Sequence, residues 1–168
     1  MIRAALFALL FMVSNALAHS ASDAYLTITS ASNGRIEGQW DVALRDLHFV
    51  LALDDDGDGK LTWGEVRKHE ARIARYAYDR LRVSSDGKAC TVRPTRQAIS
   101  GRADGAYAAF FFTIACEGKP NKLTLDYSLF FDVDPSHRGI VVFNMRNATS
   151  TSLFSPDKPH ADFTLPRL

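Results

Sequence analysis

The stretch Asp54-Asp55-Asp56-Gly57-Asp58-Gly59-Lys60-Leu61-Thr62-Trp63-Gly64-Glu65 constrains this chain more than any other. With Asp54 as position 1, aspartates fall at 1, 3 and 5 (Asp54, Asp56, Asp58), glycine at 6 (Gly59) and glutamate at 12 (Glu65). This is the spacing with which an EF-hand loop encloses calcium. A hard cation takes about six to eight oxygens at about 2.3–2.6 Å. Three short side chains reach one point only if the backbone between them wraps tightly, and Gly59 permits the wrap because it lacks a β-carbon. Position 7 supplies a main-chain carbonyl, so Lys60 is a candidate ligand despite its cationic side chain, and Glu65 closes the shell with two oxygens. Thr62, at position 9, is expected to touch the ion directly or through water. Starting the frame at Asp55 would put Gly57 where a carboxylate is required, so the register is fixed. The expected metal ligands are Asp54, Asp56, Asp58, Lys60 and Glu65, and the expected cofactor is Ca²⁺.

Both flanks read as helix. Leu47, Val50, Leu51 and Leu53 form an apolar stripe before the loop, with Asp46 as a candidate N-cap. After it, residues 63–81 contain no proline, and Val66, Ile73, Tyr76 or Ala77, and Leu81 recur at helical spacing. The helix-loop-helix unit is therefore expected over about 46–81. Leu61, at position 8, lies in the short extended segment that usually pairs with a sister loop; here a sheet edge or a second copy would have to serve.

The first residues read as an export signal rather than as part of the fold. Arg3 gives a positive start, Ala4 to Val13 an apolar run, and Ala16-Leu17-Ala18 a small-residue cleavage pattern, predicting a signal peptide over 1–18 and a mature start at His19. The apolar run is shorter than the roughly 20 residues of a membrane span, so no span is expected after cleavage, and the address is periplasmic or secreted. Cys90 and Cys116 are the two cysteines of the chain and fit that address as a disulfide. Each is expected on the apolar face of a strand. The chain carries 20 basic and 19 acidic side chains, and removing the signal deletes Arg3 alone, leaving 19 of each (20 − 1 = 19). Such balance argues against a nucleic-acid partner.

At 168 residues and 46% hydrophobic, the chain supports one domain, expected over 19–168. Tyr25 to Ser30 and Arg35 to Leu44 flank Asn33-Gly34, a hairpin signal. In the second of these segments Ile36, Trp40, Val42 and Leu44 face one way, and Arg35, Glu37, Gln39 and Asp41 the other. Beyond Leu81 short strands follow one another, the clearest alternating Leu123, Leu125, Tyr127 and Leu129 with Lys122, Thr124, Asp126 and Ser128. Residues 100–105 and 132–139 read as loop and turn. The expected fold class is α+β, an antiparallel β-sandwich with an inserted helix-loop-helix (EF-hand) unit.

Little else suggests chemistry. No serine stands in a motif with a base, and no zinc or phosphate-binding pattern occurs, so an enzyme is not expected. His48, His69, His137 and His160 are scattered. A mature N-terminal His19 would join an imidazole to a free amino group, so the alternative function is periplasmic copper or nickel binding or delivery through that residue.

Ala18-His19-Ser20-Ala21-Ser22-Asp23-Ala24-Tyr25-Leu26, Gly38 to Leu47, the acidic loop running into Leu61-Thr62-Trp63-Gly64-Glu65-Val66, and His137-Arg138-Gly139 together resemble the extracytoplasmic N-terminal region of bacterial hydrogenase/urease accessory (HupE/UreJ-like) membrane proteins. The resemblance implies a periplasmic or outward-facing module that binds calcium through Asp54, Asp56, Asp58, Lys60 and Glu65, and does not imply enzymatic activity; a membrane protein or a second copy of the chain is the expected kind of protein partner. It does not carry over metal transport, because the membrane helices of that family have no counterpart in this sequence.

Overall fold

The computed structural model describes residues 22–30 and 35–165. The segment read as a signal, His19, the Asn33-Gly34 pair expected to form a turn, and the C-terminal tripeptide lie outside the described residues. Ten strands and three helices follow in the order β1 (Asp23–Ser30), β2 (Ile36–Ala43), α1 (Leu44–Leu51), α2 (Trp63–Lys68), α3 (Glu70–Tyr78), β3 (Leu81–Ser85), β4 (Lys88–Ala89), β5 (Thr91–Arg102), β6 (Gly105–Ala115), β7 (Lys122–Tyr127), β8 (Arg138–Met145), β9 (Ala148–Phe154) and β10 (His160–Thr164).

The class is α+β, with two sheets. One has six strands in the order β5-β6-β2-β1-β8-β9 and the other has four, β10-β7-β3-β4. All pairings are antiparallel except β1 with β8, which run parallel from Asp23↔Arg138 to Thr29↔Asn144. The period-2 residues do what their spacing requires. Leu123, Leu125 and Tyr127 of β7, Phe110, Phe112 and Ile114 of β6, and Trp40 and Val42 of β2 all enter one buried cluster shared by both sheets. Leu47, Leu53, Val66, Ile73 and Ala77 join the same cluster, so the helices are bolted to it by their apolar stripes.

Several local expectations need correction. Leu44 begins α1 instead of ending β2, and Asp46 lies in the first turn rather than capping it; the N-cap position is Ala43, with no side-chain cap. The single helix expected over 63–81 is divided at His69. The loop expected at 100–105 is mostly strand, because β5 and β6 continue in register to Arg102↔Gly105. Asp41 is buried at 4% exposure instead of facing water. Arg102 explains this: its Nη2 donates to Asp41 Oδ2 at 2.5 Å and its guanidinium lies over the Tyr25 ring at 4.2 Å, so the far end of the β5–β6 hairpin folds a cation onto the outer face of β2.

Cys90 and Cys116 form the disulfide, with Cα atoms 4.4 Å apart. They sit just outside β5 and β6 rather than on strands, at the open base of that hairpin. The Cys90 amide donates to the Val83 carbonyl at 2.8 Å, so the bridge also pins the point where the chain crosses from the four-stranded sheet to the six-stranded one.

Candidate functional site

The acidic loop hangs between α1 and α2. Ala52 ends α1 with a left-handed backbone (φ 46) and returns its N–H to the His48 carbonyl at 2.8 Å. Leu53 is fully buried, and its N–H donates to His48 Nδ1 at 3.2 Å, which anchors the loop entrance. Asp54 then organises the turn. Its Oδ1 accepts from the Gly57 amide at 2.7 Å and its Oδ2 from the Gly59 amide at 2.8 Å. Both glycines have positive φ, 72 and 79, the conformation that only glycine takes without strain. Asp56 Oδ1 accepts from the Asp58 amide at 3.2 Å, and Asp58 Oδ1 from the Lys60 amide at 2.7 Å.

Asp54, Asp56 and Asp58 are thereby folded inward. One carboxylate oxygen from each lies within 4.8 Å of the other two, close enough to share a cation. All three donors are hard oxygens, which suits calcium or magnesium better than a softer transition metal.

Glu65 stands beside this trio in another role. Its Oε2 accepts from the Thr62 amide at 2.8 Å and the Thr62 hydroxyl at 2.7 Å, and its Oε1 accepts from the Asp55 amide at 2.7 Å. Thr62 Oγ1 accepts in turn from the Glu65 amide, so the two residues form a reciprocal capping box at the start of α2. The loop position expected to touch an ion is here the helix N-cap. Asp55, the one loop aspartate outside the trio, points to the helices: Lys68 Nζ is 2.7 Å and His69 Nε2 2.8 Å from its carboxylate.

The electrostatics follow from these bonds. The Gly59 amide above all, with the Gly57 amide adding to it, holds the Asp54 carboxyl below the usual range against the opposing effect of desolvation. The Thr62 amide and hydroxyl do the same for Glu65, and Lys68 with His69 for Asp55. Asp56 goes the other way. The Asp58 amide pulls it down, but the neighbouring Asp58 carboxylate, desolvation, and then the Asp54 and Glu65 carboxylates outweigh that and raise it. Negative charge is crowded most tightly at the middle member of the trio, which is where a cation would relieve it.

The four histidines among the described residues do not gather into a ligand set. His48 accepts from Leu53, His69 meets Asp55, and His160 Nδ1 contacts Asp126. His137, at the end of the 132–139 turn, is fully buried. Its Nδ1 is 2.8 Å from Ser22 Oγ and its Nε2 2.7 Å from the Tyr127 hydroxyl, while Ser22 Oγ donates to Asp46 Oδ2 at 3.0 Å. Nothing in the sequence signalled this, since Ser22 and His137 are separated by 115 positions. A serine, a histidine and a carboxylate meet here, but in the wrong order for a nucleophilic triad. The carboxylate holds the serine instead of orienting the imidazole, and the second ring nitrogen is committed to a buried phenol.

No protein-family model matches the chain, and no curated protein matches it either.

Proposed function

We propose that this protein is an exported calcium-binding module whose single EF-hand loop, 54–65, clamps a helix-loop-helix unit onto a β-sandwich. The observation that carries the proposal is the convergence of the Asp54, Asp56 and Asp58 carboxylates on one point in a loop wrapped by Gly57 and Gly59. The Lys60 carbonyl and Glu65 would complete the oxygen shell. Glu65 is the residue that changes partner: to ligate, its carboxylate gives up the Asp55 and Thr62 donors it now holds. Two further observations support the exported address. The cysteines are joined, and among the described residues no helix is long and apolar enough to cross a membrane.

A structural clamp fits better than a fast sensor. With an affinity in the range of extracellular modules, about 10⁻⁴–10⁻³ M, calcium at about 1 mM would fill the site half the time or more and stabilise the fold by about 0.4–1.4 kcal/mol. Calorimetric titration of the mature protein tests the assignment. Calcium should bind with a stoichiometry of one, magnesium more weakly, and Asp54→Asn combined with Asp56→Asn should abolish the heat. Equal heats from wild type and the double variant would remove the loop as the site.

A further inference from the structure

Four strands end the two sheets, and three of them are defended against further pairing. β4 is two residues long. β10 puts His160 and Asp162 on its exposed positions, where they pair with Asp126 and Lys122 of β7. β5 contains Pro94, which has no N–H to give, breaks register between Pro94 and Arg96, and carries Arg93, Arg96 and Arg102.

β9 has none of these devices. Ala148-Thr149-Ser150-Thr151-Ser152-Leu153-Phe154 holds no charge, proline or glycine, and it pairs with β8 without a break from Gly139↔Phe154 to Met145↔Ala148. Among the described residues no strand lies beyond it. Thr149, Thr151 and Leu153 are exposed, Leu153 at 46%. A regular, uncharged outer strand is a template for another strand, and soluble proteins rarely leave one bare.

We infer that β9 pairs antiparallel with β9 of a second copy of this chain, about a twofold axis at Thr151. The strand matches itself. It has seven residues centred on Thr151, so the axis sets Thr151 against Thr151 of the second copy and Thr149 against Leu153 of the second copy. No like charges oppose one another, and a threonine pair across an antiparallel ladder is favourable. The contact is isologous and closes at two copies, joining both six-stranded sheets into one.

Sedimentation of the mature protein with calcium present, over a wide concentration range, tests this. The wild type should form dimers. Thr151→Asp and Thr151→Lys should each be monomeric, because each sets like charges about 5 Å apart at the axis. An equimolar mixture of the two should dimerise again, since the axis then opposes unlike charges, and Thr95→Asp on the β5 edge should leave the dimer intact. Circular dichroism checks the fold of each variant; should a Thr151 variant misfold, mixing Thr149→Asp with Leu153→Lys reads the same contact. A monomeric wild type, charged variants that dimerise as before, or a mixture that stays monomeric would each overturn the inference.

Discussion

At the scale of single residues, His137 says most about what holds the fold. Its tautomer follows from its neighbours. Ser22 gives its hydrogen to Asp46, so the Ser22 oxygen is left to accept from His137 Nδ1–H, and Nε2 accepts from the Tyr127 hydroxyl. The imidazole is therefore neutral with both nitrogens satisfied. Tyr127 is itself a hub, stacked on Phe154 at 5.0 Å and edge-on to Trp40 at 5.6 Å, and its ring occupies the space where a β-carbon on Gly139 would stand, 2.7 Å away. Burial pushes the His137 pKa down from 6.5 to about 4, with the Asp134 carboxylate only partly opposing it. Between those values the unfolded chain binds the proton and the folded one does not, so stability rises with pH through that window. The contribution is complete above pH 6.5 and is lost as pH falls toward 4, on the order of 3 kcal/mol. Urea midpoints measured from pH 4 to 7 should show a steeper climb for the wild type than for His137→Gln; parallel curves would mean that another group carries the slope. Of this residue the sequence shows only the turn formers around it, because burial in a turn leaves no periodicity to read.

Among elements, the helix-loop-helix unit was the most legible, since its constraints are local. The aspartate spacing, the two glycines and the apolar stripes all lie within one stretch, and Gly57 and Gly59 give their amides to Asp54 with positive φ. What the pattern could not show was competition for side chains within it. Thr62 and Glu65 serve the start of α2, and Lys68 and His69 are drawn back to Asp55 where a single long helix was expected to continue. The Thr62 cap has a definite value: Thr62→Ala should destabilise the protein by about 1 kcal/mol, read as a lower urea midpoint with an unchanged slope. With calcium in excess the same substitution should cost less, because Glu65 then has the ion as its partner in place of the Thr62 donors. The strands were legible as strands, but their bounds were not. β5 runs through Pro94 because it is an edge strand with a register shift there, a tolerance that composition alone does not reveal.

For the whole molecule, the connections that matter are the least local. β1 lies between β2, its sequence neighbour, and β8, which it meets in parallel more than a hundred residues later. Period-2 alternation marks which face of a strand is buried, but it does not choose the partner, so two sheets sharing one core could be expected while this strand order could not. If the loop binds calcium as proposed, the shared core also decides what the ion can do. Leu47, Leu53, Ile73 and Ala77 are fully buried and Val66 is 3% exposed, in the same cluster as Trp40 and Phe110. Both ends of the acidic loop are thus fixed by apolar burial that owes nothing to a metal. If the loop holds calcium as proposed, removing the ion should loosen the loop while α2, capped again by Thr62 and Glu65, and the sheets stay folded. Hydrogen exchange with calcium and with chelator should differ over residues 54–62 and remain unchanged in β1, β2, β6 and β8. The melting temperature should fall by only about 1–6 °C, as a loss of about 0.4–1.4 kcal/mol implies for a chain of this size. If chelation instead exposed the central strands, the ion would be a condition of folding rather than a clamp on a fold already formed.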